Sequence, residues 1–154
     1  MKAVLIVAAV AVPTPVLAQV SEWHIALTAQ DIGQNSAMLI DAKSVTSPTA
    51  TTREAWTSNI FAQVQKLQDG RSFDELRMKY RFDCTAGTAS RIISSVWLEN
   101  KLVLEEATPS EPAVYEAGTR MWKAAYGACT SNYATLPLIE AATPHAEARR
   151  RFTR

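Results

Sequence analysis

Residues 73–84 read FDELRMKYRFDC, and their side chains alternate in kind. Leu76, Met78, Tyr80, Phe82 and Cys84 fall on one side of an extended backbone; Glu75, Arg77, Lys79, Arg81 and Asp83 fall on the other. Successive side chains of a strand point to opposite faces. This period of two therefore predicts one long strand with an apolar face in a core and a charged face in water. Shorter stretches repeat the theme. Residues 21–28 (SEWHIALT) place Trp23, Ile25 and Leu27 together, and residues 35–41 (NSAMLID) form a second short strand after a turn at Asp31-Ile32-Gly33. Residues 43–52, rich in Ser and Thr with Pro48, read as loop. Residues 53–65 form a third strand, with Trp56, Ile60 and Phe61 as its main apolar positions.

Asp69-Gly70 marks a hairpin from this third strand into the long one. A two-residue turn there would place Lys79 opposite Ile60 and Asp83 opposite Trp56. A shift of one residue places Met78 opposite Ile60 and Phe82 opposite Trp56, which keeps apolar with apolar. One step of register flips every side chain, so the pattern predicts the second pairing and a longer loop or bulge near residues 68–71. Ala86-Gly87 turns the chain again. Residues 90–98 and 101–105 then make a hairpin around Glu99-Asn100, with Trp97 across from Leu102 and Val96 across from Val103.

At Thr108-Pro109-Ser110-Glu111-Pro112 the period changes. Thr or Ser can cap a helix, proline is tolerated in a first turn, and Glu111 suits the positive end of the dipole. Val114, Gly118, Met121 or Trp122, Ala125 and Cys129 recur at helical spacing, so a helix is expected here, with Gly118 as a point of close packing on the sheet. The fold class expected is α+β: a mainly antiparallel meander of about six strands with one C-terminal helix packed on it.

The first 18 residues stand apart. Lys2 precedes an apolar run that is broken by Pro13 and Pro15 and followed by Val16-Leu17-Ala18, a small-residue cleavage pattern. The run is short of the roughly 20 apolar residues that span a bilayer. It predicts a secretory signal peptide over residues 1–18, cut between Ala18 and Gln19. No cysteine follows the cut, so a lipid anchor is not expected and the product would be periplasmic or secreted. Removing 18 of 154 residues leaves 136, a length that suits one domain over residues 19–130 followed by a flexible basic tail over residues 131–154. Losing Lys2 leaves 15 basic against 15 acidic residues, a balance that argues against nucleic acid as a partner. No second apolar run is long enough to span a membrane. Export gives the two cysteines a meaning, because two thiols in an oxidising compartment pair. A Cys84–Cys129 disulfide would pin the end of the helix to the end of the long strand.

Catalytic and metal-binding patterns do not emerge. His24 and His145 lie far apart, and no H-x-H, C-x-x-C, H-E-x-x-H or G-x-S-x-G spacing occurs. His24 reads as a surface or edge residue of its strand. Neighbouring acids at Asp74-Glu75 and Glu105-Glu106 face opposite ways on a strand, so neither pair is a carboxylate dyad by itself. No cofactor is expected and the chain does not read as an enzyme. Arg77, Lys79 and Arg81 share one strand face. They read first as a solvated face guarded by Glu75 and Asp83, and second as a basic strip for an acidic partner. Arg149-Arg150-Arg151 offers a second basic cluster in the tail. Trp23, Trp56, Trp97 and Trp122 are scattered among elements, as core tryptophans usually are; stacking on a ligand is the second reading.

Taken in order, several segments resemble the surface-adhesin protein E-like family of small exported Gram-negative proteins. They are the early Trp23, the run Ile40-Asp41-Ala42-Lys43-Ser44-Val45 followed by Trp56, and the strand ending Phe82-Asp83-Cys84. A hairpin, the proline-containing link at 108–112 and a helix ending Ala128-Cys129 follow. The resemblance covers residues 21–130. It implies an antiparallel sheet with a helix packed on it and a strand-to-helix disulfide, and for the namesake a surface adhesin that binds host matrix proteins. No binding residue of the family transfers to a matching motif. Function is therefore expected to be that of a non-catalytic exported binding module, with a protein or envelope component as partner. An envelope accessory, or a small inhibitor or enzyme with a site built from scattered residues, is the alternative. Such an enzyme would need His24, Tyr80 or acidic groups to converge in a deep pocket.

Overall fold

A computed structural model describes residues 21–26, 35–140 and 144–152. The expected signal peptide with its Ala18-Gln19 junction and the expected turn at Asp31-Ile32-Gly33 lie outside these. One antiparallel sheet carries the chain. Its strands are β1 (Trp23–Ile25), β2 (Ser36–Asp41), β3 (Thr52–Lys66), β4 (Ser72–Asp83), β5 (Thr88–Leu98) and β6 (Lys101–Glu106), paired in chain order. A short β7 (Ala113–Val114) adds to the start of β5. Helix α1 (Arg120–Thr130) covers the front face, and α2 (Pro144–Phe152) lies against β2 and β3. The expected fold class is the one found, with α2 as an additional element.

Alternation places Met38, Ile40, Ala55 and Phe82 on the front. There they meet Ala124, Ala125 and Ala128 of α1. Three alanines let the helix backbone approach the sheet closely. The Cys84–Cys129 disulfide closes the same side and joins the end of β4 to the last turn of α1 across 45 positions of sequence. α1 starts later than its pattern suggests. Residues 107–112 belong to no helix, and Thr119 is the cap, its hydroxyl accepting from the Trp122 N–H. Gly118 precedes the helix at φ +83° and serves the turn into it. The close approach falls at Gly127, where an added Cβ would lie 2.7 Å from the Tyr133 ring.

The β3–β4 pairing differs from both registers considered. Leu67 N–H donates to Arg71 O across a longer loop, and beside that loop Gln65 faces Phe73 in the expected register. Then β3 runs from Gln65 to Ile60 while β4 advances only from Phe73 to Glu75. Beyond this irregularity Ile60 faces Glu75, Trp56 faces Lys79, and Met78 faces Thr57. The bulge lies within β3, not at residues 68–71. Matching apolar with apolar failed because the back face is also a core: Trp23, Ile25, Leu39 and Ile60 pack there with Ile139 and Ala148, and Trp56 packs against them. The β4–β5 pairing has a register shift at Lys79/Tyr80, and in the β5–β6 hairpin Trp97 faces Leu102 as expected, but a further irregularity sets Val96 opposite Leu104 instead of Val103. Glu99 and Asn100 make its turn at φ 49° and 63°.

The segment of residues 131–140, which the sequence assigns to a flexible tail, packs on the sheet. It runs along the free edge of β1: Ile25 N–H donates to Pro137 O (2.9 Å) and Ile139 N–H to Trp23 O (3.0 Å). Leu136 enters the front core and Ile139 the back core. The edge strand is thereby covered, which blocks pairing with other chains. It also buries His24, placed at the edge as expected but not at the surface.

Replacing both cysteines by serine is expected to lower the unfolding free energy by about 4 kcal/mol, the chain-entropy value for a loop of this length. Urea unfolding of both forms checks this. A loss well under 1 kcal/mol would show that the bond constrains little.

Candidate functional site

The back face holds the chemistry. Glu75 lies at its centre, its side chain fully buried despite its place on the face expected to meet water. Three side chains converge on its carboxylate. Ser58 Oγ donates to Oε1 (2.7 Å), Arg77 donates from Nε to Oε1 (2.6 Å) and from Nη2 to Oε2 (3.1 Å), and His145 Nε2 of α2 lies 2.9 Å from Oε1. Burial pushes the pKa of Glu75 up. The contacts from His145, Arg77 and Ser58 outweigh it and hold the value at about 2, against an ordinary 4.5. One turn later on α2, Arg149 reaches the neighbouring Asp74 (2.8 Å). The adjacent carboxylates thus have separate basic partners and form no dyad.

This network sets two walls of a cleft. The Arg77 guanidinium lies over the Trp97 ring, 4.0 Å from its centroid, while Trp97 Nε1–H donates to Ser95 Oγ (2.8 Å). His145 meets the Trp23 ring edge-on at 5.2 Å. Trp23, Trp56 and Trp97, with Arg77, Asp41 and Glu105, line a cavity of about 270 Å³. Three of the four tryptophans, distant in sequence, thus share one site. Trp122 lies elsewhere and stacks on Tyr126 along α1.

The basic strip is divided. Arg77 belongs to the cleft, whereas Lys79 (2.8 Å) and Arg81 (2.6 Å) share the carboxylate of Glu54 on β3. Side-chain hydrogen bonding from Lys79 leads the causes that lower the Glu54 pKa. The neutralising partners are therefore Glu75 and Glu54. Asp83 instead accepts from the Thr85 and Ala86 N–H groups. In the tail cluster, Arg149 is held by Asp74 and Arg150 by Glu147 (2.7 Å).

His24 and Tyr80 do not converge. His24 Nδ1 is 2.9 Å from Leu136 O, Nε2 is 3.2 Å from Glu22, and the ring stacks on Tyr133. Tyr80 lines a different cavity on the front face, which lacks His24. Among the described residues no group of three or more His, Cys, Asp or Glu could hold a metal ion, and no helix is long and apolar enough to cross a membrane. The cleft was hard to find from sequence because its charged residues carry the period of a solvated face. One signal was available: Ala37, Met38, Leu39 and Ile40 run without a break, as in strands buried on both faces.

Because the folded pKa of Glu75 lies below its unfolded value, its contribution to stability is present above about pH 4.5 and lost as pH falls toward 2. Glu75→Gln is expected to destabilise the protein by about 3 kcal/mol at neutral pH, since it leaves the largely buried Arg77 guanidinium without its charge partner. The gap between wild type and variant should narrow across that acid window. Urea unfolding at several pH values measures it; parallel profiles would contradict the assignment.

No family model matches this chain, and no curated protein matches it. Among solved structures the chain is similar to protein E of Haemophilus influenzae in crystal form II, with a TM-score of 0.48 and 13% identity, over 81% of this chain and 98% of that one. It is similar also to protein E from non-typeable Haemophilus influenzae, with a TM-score of 0.44 and 14% identity, over 82% of this chain and 84% of that one.

Proposed function

We propose that this chain is an exported, non-catalytic binding module that engages a protein partner at the tryptophan cleft of its back face. The observation that carries the reading is the convergence of Trp23, Trp56 and Trp97 with Arg77 around one cavity. Tryptophan and arginine dominate the energetics of protein interfaces, because each offers a large rigid surface together with a polar handle. About 270 Å³ falls just below the range of pockets that enclose drug-sized ligands. It suits one apolar anchor side chain of a partner. Glu105, exposed on β6, is placed to meet a basic residue beside that anchor.

Both histidines are committed to packing, His24 against Tyr133 and His145 against Trp23, and both cysteines are joined. This leaves both imidazoles and both sulfurs occupied and favours binding over catalysis. A disulfide between strand and helix suits an oxidising compartment, which supports export. The resemblance in sequence to the protein E-like family carries the same expectation of a protein partner.

The test immobilises the oxidised protein and titrates envelope extract and host matrix proteins over it. A saturable protein partner is expected, with affinity reduced about 30-fold or more by Trp56→Ala, the scale of an interface hot spot. Trp122→Ala should bind as wild type. Retained binding by Trp56→Ala, a glycan as the saturable ligand, or no saturable partner in either source alongside a measured hydrolase activity would reject the reading.

A further inference from the structure

The described arginines have partners, with one exception. Arg71, Arg77, Arg81, Arg149 and Arg150 each meet a carboxylate. Arg53 donates to three carbonyls, and Arg120 donates to Ser36 Oγ. Arg91 on β5 differs. Among the described residues no carboxylate pairs with its guanidinium, and its Nε is buried without a hydrogen-bond acceptor; the Nε of Arg149 also lacks an acceptor, but that guanidinium meets Asp74. Its backbone is firmly held, because Arg91 N–H donates to Ser110 Oγ (2.9 Å) and Ser110 N–H donates to Arg91 O (2.9 Å).

Beside it, on the front face, lies a cavity of about 480 Å³. Tyr80, the cross-strand partner of Arg91, forms one wall. Val114, Tyr115 and Met121 contribute apolar surface, and Val114 is 75% exposed at this edge. We propose that this cavity is a binding site for a small organic monoanion, a carboxylate on an apolar body, anchored by the Arg91 guanidinium.

The chemistry argues for that class. A buried donor without an acceptor is costly, whereas a guanidinium and a carboxylate make paired charge-assisted hydrogen bonds. The volume lies within the range that encloses small ligands, and the walls supply apolar contact for the rest of the molecule. Burial raises the pKa of the Tyr80 and Tyr115 phenols, and Asp83 adds to the rise at Tyr115. Both rings therefore stay neutral and do not repel an anion. The first turn of α1 borders the cavity at Thr119 and Met121, where the helix dipole favours negative charge. Glu116 also lines the cavity and is exposed. Its charge opposes a second negative charge on the ligand and selects monoanions.

The site is separate from the tryptophan cleft and shares no lining residue with it. The test records amide NMR spectra of the oxidised protein during titration with benzoate and octanoate, and with benzyl alcohol and octanol as neutral counterparts. The carboxylates should shift the Arg91, Tyr115 and Thr119 amides saturably and bind about tenfold more tightly than the neutral molecules, the scale of one hydrogen bond to a charged group. Arg91→Gln should reduce the carboxylates to the level of their neutral counterparts, with the thermal midpoint and the amides around the cleft unchanged. Equal affinity for neutral and anionic probes, no saturable shift, or shifts centred on Trp56 and Trp97 would overturn the proposal. If Arg91→Gln does not fold, the comparison of anion with neutral probe on the wild type decides alone.

Discussion

A buried carboxylate with three partners is the constraint on which the back face depends. An ion taken out of water is costly, and Glu75 is fully out of it. Its charge persists because Ser58 of β3 and Arg77 of β4 donate to it and His145 Nε2 of α2 lies beside it. Two of these partners do a second job. Arg77 lies against Trp97, and His145 lies against Trp23. A single carboxylate therefore sets the spacing of two indoles that lie 74 positions apart in the sequence, and helps to tie down α2 together with Ala148 in the back core and the Arg149–Asp74 pair.

The front of the sheet uses a different device. There the apolar residues of β2, β3 and β4 meet a helix whose contact surface is built from alanines, and a disulfide closes the arrangement. The covalent bond acts on the unfolded chain, by limiting its freedom; the Glu75 network acts on the folded one, by geometry. The sheet is thus buried on both faces near β2 and β3. The candidate sites lie where this cover ends: the tryptophan cleft beyond α2 on the back, the Arg91 cavity between β5 and the start of α1 on the front.

What could be read from sequence was whatever a local period or a pairing rule controls. Alternation marked the strands, Asn100 marked a positive-φ turn, and two exported cysteines marked a bond. Each of these is decided by neighbours within a few residues or by simple counting. The unread parts depend on distant contacts. Glu75 and Arg77 alternate with apolar residues just as solvent-facing charges would, and only α2, some 70 positions later, makes Glu75 a buried residue. The β3 bulge escaped for the same reason: a register built to protect one core cannot foresee a second. The helix start was misplaced because Pro109 and Pro112 look like a first turn, whereas the cap comes at Thr119, after a glycine at positive φ.

The claim on which the cleft rests is the ionised state of the buried Glu75 carboxylate. Carbon-13 NMR of the side-chain carboxyl carbons, titrated from neutral to acid pH, observes that state directly. Glu75 should remain ionised through the range where ordinary glutamates protonate and titrate near pH 2, or only as the protein unfolds. A Glu75 carboxyl that titrates at or above pH 4.5 in the folded protein would contradict the account.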